Sequence, residues 1–164
     1  MIKLNNISLG YTGRTLINSL TAHIESGKLT ALVGRNGTGK STLLRAIAGL
    51  GEIASGEILL NNKPLATMQP AELATTISFV TTDKVRIANL RCRDVVALGR
   101  APYTNWIGRM QESDRLIVEQ SLAAVGMSSY ADKTMDRMSD GECQRIMIAR
   151  ALAQQTPIIL LDEP

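Results

Sequence analysis

Apolar positions switch between a period of two and a period near 3.6 along this chain, and the switches outline its elements. Met1 to Leu9 and Arg14 to Ile17 predict two strands joined around Thr12-Gly13. A third is predicted over Leu20 to Ile24, before Ser26-Gly27 turns the chain. Lys28 to Val33 is rich in branched apolar residues and predicts a strand, after which Leu43, Ala46 and Ile47 recur at helical spacing until Gly49 supplies a stop. Gly56 to Leu60 followed by Asn61-Asn62 predicts a short strand and turn, Pro70 to Thr75 a short helix, and Ile77 to Val80 a buried strand. From Cys92 to Met127 the pattern is helical, with Val118, Leu122 and Val125 on one stripe and Gly126 at its end. Ser139 to Ala153 predicts a further helix bearing Cys143, Ile146, Met147 and Ala151 on its apolar face, and Pro157 to Leu161 a strand buried on both faces. The order predicts an α/β protein with an N-terminal antiparallel β-layer and an inserted helical subdomain.

Composition narrows the functional classes. The chain has 164 residues, 45% hydrophobic and 20% charged, enough for the core of about one domain. A net charge of +3 without Lys/Arg blocks, and only one Trp, three Tyr and one Phe, argue against a nucleic-acid groove. Met1-Ile-Lys-Leu-Asn-Asn lacks the apolar core of a signal peptide, and no run reaches the roughly 18 apolar residues of a membrane span, so a cytosolic protein is expected. Cys92 and Cys143 lie far apart without a Cys-x-x-Cys pattern and are expected to be unpaired thiols. His23, the single histidine, falls in an apolar/polar alternation and is expected to be a solvated strand residue.

The chemistry begins at Gly34-Arg35-Asn36-Gly37-Thr38-Gly39-Lys40-Ser41-Thr42, which matches Gly-x-x-x-x-Gly-Lys-[Ser/Thr] between a predicted strand and helix. Such a phosphate loop (P-loop, Walker A) turns several backbone N–H groups toward a nucleoside triphosphate. Lys40 is expected at the β- and γ-phosphates and Ser41 at Mg²⁺. A dinucleotide fingerprint fails, because Thr42 stands where a third glycine is needed. Asp162 and Glu163 end an apolar strand, as in a Walker B motif. Asp162 is expected near Mg²⁺, and Glu163 is expected to orient and polarise the attacking water.

Met138-Ser139-Asp140-Gly141-Glu142 opens the helix before that strand and resembles the Leu-Ser-Gly-Gly-Gln signature of ABC ATPases, with Asp140 and Glu142 replacing glycine and glutamine. Ser139-x-x-Glu142 also reads as a capping box, and the two uses are compatible. The resemblance covers the whole chain, in the order phosphate loop, helical insertion, signature and Walker B. It implies an ATP-binding and MgATP-hydrolysing subunit of an ABC transporter, with 1–84 and 154–164 forming the α/β core and about 85–153 the helical subdomain and signature helix. The implied partners are a second copy, in a head-to-tail sandwich of two ATPs, and integral-membrane permease subunits on the inner face of the cell membrane; no nucleic acid is implied.

Ser139, Gly141 and Glu142 would then face the ATP of the opposite subunit, and Tyr11 would stack on adenine. Thr82 stands where the family carries a metal-sensing glutamine, and its shorter hydroxyl would reach Mg²⁺ only through water. Leu98-Gly99-Arg100-Ala101-Pro102-Tyr103 resembles a segment of subunits serving iron-siderophore, haem and cobalamin importers, without naming a substrate. A non-transport cytosolic ABC ATPase and a nucleotide-binding module that does not hydrolyse are the competing readings. Because the sequence stops directly after the carboxylate pair, a C-terminally truncated domain is expected, itself inactive in turnover.

Overall fold

The computed structural model describes residues 1–11, 14–81, 89–104 and 110–162, apart from the side chain of Tyr11. The chain divides into two units, Met1–Thr76 and Ile77–Pro164.

In the first unit β1 (Ile2–Tyr11) lies between β2 (Arg14–Ile24) and β3 (Ser55–Leu60), with the two-residue β4 (Lys63–Pro64) beyond β3, in one antiparallel sheet. Ile2 and Leu4 are buried, and so are Ile7 and Leu9, so the inward face changes parity halfway along β1. The register shifts there against both neighbours, and Asn6 takes φ +52°. One extra residue at such a bulge keeps both halves of the strand facing the core. The two strands expected at Arg14–Ile17 and Leu20–Ile24 are a single strand instead, bent at Ser19 (φ +52°), whose N–H donates to Ser8 Oγ at 3.1 Å. Asn61 and Asn62 both take positive φ, as a tight two-residue hairpin requires.

Residues 28–33 do not form the expected strand. Leu29 is 99% and Val33 89% exposed, and no strand among the described residues pairs with them. A strand is held by its ladder, and among the described residues this apolar run has no neighbour to supply one. Helix α1 (Lys40–Ile47) follows and buries Leu43, Ala46 and Ile47 as their spacing predicts. It stops at Gly49 (φ +73°), where the Gly49 and Leu50 N–H groups donate to the Ala46 and Arg45 carbonyls, the paired bonds of a Schellman end. A Cβ on Gly49 would lie 2.7 Å from the Leu73 Cδ2 methyl of α2 (Pro70–Thr76), which would have to turn aside.

In the second unit β5 (Ile77–Val80) pairs in parallel with β6 (Ile158–Leu161). Helices α3 (Cys92–Ala97), α4 (Glu112–Ala124) and α5 (Asp140–Ala153) pack on one another around Val95, Val96, Leu122, Ile146 and Ala149. Gly126 ends α4 as expected, with the Gly126 and Met127 N–H groups donating to the Ala123 and Leu122 carbonyls. Strand β6 is not covered on both faces: Ile158 and Leu160 are buried, whereas Ile159 and Leu161 are 40% and 38% exposed. A parallel strand is buried on both sides only where helices cover both, and here one side is covered among the described residues. Cys92 and Cys143 are buried and are not joined in a disulfide, and burial raises the pKa of Cys92. His23 is exposed on β2. No helix among the described residues is long and apolar enough to cross a membrane.

Candidate nucleotide-binding site

The phosphate loop curls around one ammonium. Lys40 Nζ donates to the carbonyls of Gly34 and Arg35, each at 3.0 Å, and Thr38 Oγ1 donates to the Arg35 carbonyl at 2.8 Å. Gly37 (φ +76°) and Gly39 (φ +95°) take left-handed conformations, which side chains resist. A Cβ on Gly39 would lie 3.2 Å from Leu16 Cβ, so β2 backs the loop closely.

Gly39 is the N-cap of α1, with no side-chain cap and no acidic residue in the first turn. Gly34, Arg35, Asn36, Gly37, Thr38, Gly39, Lys40, Ser41 and Thr42 are thus gathered at a helix N-terminus whose dipole and backbone donors favour an anion. Asn36, Gly37 and Thr38 are exposed, and Ser41 and Thr42 are half-buried in the first helical turn. This donor set fits a polyphosphate. Tyr11 ends β1 opposite Arg14, and its side chain lies outside the described residues, as do Thr82 and Glu163.

The remaining predicted residues belong to the second unit. Asp162 is buried (2% exposed) directly after β6, and its N–H donates to the Val80 carbonyl at 3.0 Å, carrying the β5–β6 ladder one step further. Its carboxylate therefore stands at the C-terminal end of a parallel pair. A carboxylate there is donor chemistry suited to a hard divalent cation.

Ser139 is the N-cap of α5 in a complete capping box. The Glu142 N–H donates to Ser139 Oγ at 3.3 Å, and the Ser139 N–H and hydroxyl both donate to Glu142 Oε2 at 2.8 Å. These bonds from the Ser139 backbone and then its hydroxyl hold the Glu142 carboxyl below the usual glutamate range, helped by Tyr130 and Lys133. Gly141 borders open space. Asp140 lies beside Glu142 in the first turn.

The far end of α5 carries a cluster that sequence reasoning left without a role. Arg100, 6% exposed, donates through Nε to Asp114 Oδ1 at 2.9 Å and through Nη1 to the Ala153 carbonyl at 2.9 Å. The only signal was the Leu98–Tyr103 segment, read as a branch marker; Asp114 gave none. The Gln111 N–H and then the Arg100 guanidinium hold the Asp114 carboxyl below the usual carboxylate range.

Residues 17–164 match the family model described as ABC transporter. The chain is 41% identical over 164 residues to an uncharacterized ABC transporter ATP-binding protein, MJ0873, of Methanocaldococcus jannaschii, covering 100% of this chain and 57% of that protein. It is 34% identical over 164 residues to the petrobactin import ATP-binding protein FpuC of Bacillus anthracis, covering 100% of this chain and 60% of the relative. A solved dimeric, post-hydrolysis state of the ATP-binding cassette MJ0796 bound to ADP and Pi superposes with a TM-score of 0.85 at 27% identity, over 100% of this chain and 74% of that one. The chain spans about 57% to 60% of the length of these two curated relatives. With the match running through the phosphate loop, the capped α5 and the Asp162 strand, the chain belongs to the ABC transporter family.

Proposed function

We propose that this chain forms the nucleotide-binding part of an ATP-hydrolysing ABC importer subunit, serving an iron chelate such as a siderophore. The observation that carries the reading is the phosphate loop: an uncapped helix N-terminus with Lys40 folded into its mouth. On arrival of a triphosphate, Lys40 exchanges two neutral carbonyls for charged phosphate oxygens, and each charge-assisted hydrogen bond contributes about 1.5–3 kcal/mol. Backbone N–H groups from Gly37 to Ser41 hold the remaining oxygens. Ser41 and Asp162 are the residues that would hold Mg²⁺, which neutralises phosphate charge when bound. Thr82 takes part only through water, Tyr11 stacks on adenine, and Glu163 orients and polarises the attacking water.

Ser139 and Gly141 serve a second subunit. Donors at the α5 N-terminus face the γ-phosphate held by the opposite copy, and Glu142 must yield part of its cap to that anion. The dimeric relative bound to ADP and Pi supports pairing of two copies. The petrobactin import relative and the Leu98–Tyr103 segment support the importer branch, with a permease at the inner face of the membrane.

The test uses the full-length subunit. Lys40→Ala is expected to weaken MgATP binding and abolish turnover, whereas Glu163→Gln keeps ATP bound and stops hydrolysis. ATP affinity unchanged in Lys40→Ala, or near-normal turnover in Glu163→Gln, overturns the assignment.

A further inference from the structure

Helix α5 is anchored at both ends, and the two anchors differ in kind. At Ser139 the cap is exposed, but at the trailing end the Arg100 bonds to Asp114 and the Ala153 carbonyl are buried. A Cβ on Gly99 would collide with the Arg150 carbonyl, so glycine lets the Leu98–Tyr103 turn lie directly against the last turn of α5. Arg100 Nη1 donates to the Ala153 carbonyl and, at 3.1 Å, to Gln155 Oε1. Its guanidinium lies 4.1 Å from the Tyr103 ring centroid, and the Tyr103 hydroxyl donates to the Gln154 carbonyl at 2.8 Å. Asp114 receives Arg100 on one oxygen and the Gln111 N–H on the other, at 3.0 Å, which ties in the start of α4.

The cluster reaches β5 as well. Gln154 Nε2 donates to the Ile77 carbonyl at 3.2 Å, and Thr156 Oγ1 donates to Ser78 Oγ at 3.1 Å. A helix end needs none of this, because water satisfies its last carbonyls. A buried ion pair is also a poor source of stability, since apolar residues of similar volume often serve equally well. What the fork of Arg100 supplies is a fixed direction. Helix α5 has 14 residues and is about 21 Å long, so a tilt at Ala153 is carried to Ser139. The strand that the cluster holds, β5, is the one whose Val80 carbonyl receives the Asp162 N–H.

We propose that Arg100, with Asp114 and Tyr103, is a positioning clamp for ATP hydrolysis: it sets the angle of α5, and so the placement of Ser139 relative to the Asp162 strand. The clamp acts through α5 and rests on the reading that Ser139 serves the γ-phosphate of a second subunit. It explains the Leu98–Tyr103 segment by geometry and makes Gly99, Arg100 and Tyr103 one device.

The experiment measures full-length protein with MgATP. Arg100→Met is expected to keep single-subunit ATP affinity within about twofold while kcat falls at least about tenfold, the signature of lost positioning. Tyr103→Phe, which removes one hydrogen bond and no volume, is expected to lower kcat about fivefold. The deciding measurement is a double-mutant cycle on kcat with Ser139→Ala. If the clamp acts through Ser139, Tyr103→Phe costs little further in the Ser139→Ala background. Equal costs in both backgrounds, an unchanged kcat, or loss of kcat and ATP affinity in parallel overturns the clamp. Should Arg100→Met fail to fold, the Tyr103→Phe cycle decides alone. Ser139→Ala with wild-type turnover refutes instead the role given to the signature, and the clamp falls with it.

Discussion

Residues 28–33 and Ile77–Val80 are both short apolar runs next to a nucleotide motif, and they end in opposite environments. Ile77, Ser78 and Val80 are buried, and the run is paired along its length with β6; Leu29 and Val33 stand almost fully exposed. Composition does not separate them, since Leu-Thr-Ala-Leu-Val is as suited to a strand as Ile-Ser-Phe-Val. The difference is a neighbour. Local pattern makes a segment competent for a sheet, and a ladder partner makes it a strand.

The sharpest way to break this comparison is to truncate one side chain in each run. Ile77→Ala is expected to cost about 2–5 kcal/mol in urea unfolding of the 164-residue chain, because it empties a packed site. A smaller effect is expected at the exposed cap of α5, where Ser139→Ala costs about 1 kcal/mol.

The cap also has a pH signature. Glu142 is held below its ordinary range by the Ser139 N–H and hydroxyl, so its contribution is complete above the ordinary glutamate range and is lost as pH falls through the depressed folded value. Asp114 titrates in the same direction. Glu142→Gln therefore flattens part of the acid limb of a stability profile, leaving the parts due to Asp114 and to Asp136, which the Thr134 hydroxyl holds below its ordinary range. An acid limb unchanged by Glu142→Gln contradicts the cap. The smallest effect is expected at Leu29→Ala, within about 0.5 kcal/mol. A loss there as large as at Ile77 shows that residues 28–33 are packed in solution.

What the sequence made legible follows the same division. Local chemistry was readable: Gly49 and Gly126 end helices where φ must be positive, Asn61-Asn62 turn a hairpin, and Ser139-x-x-Glu142 caps α5. The phosphate loop was readable because its glycines and Lys40 answer to one ligand geometry within nine residues. Properties set by distant partners were not. The parity change in β1 depends on two neighbouring strands, the exposed face of β6 on what covers it, and the Arg100–Asp114 pair on a packing of α4 against α5 that no periodicity encodes.

The contrast between the starts of α1 and α5 has a thermodynamic consequence. Helix α5 carries its own anion in Glu142, so its N-terminus is complete within the chain. Helix α1 has neither a side-chain cap nor an acidic residue in its first turn, so on the proposed function the phosphates of a bound nucleotide supply the charge there. On that proposed function, stability of the first unit rises with nucleotide as the logarithm of ligand over dissociation constant, by about 2.7 kcal/mol at a hundredfold excess. A nucleotide bound as proposed would then serve α1 as Glu142 serves α5, and its concentration would enter the folding equilibrium.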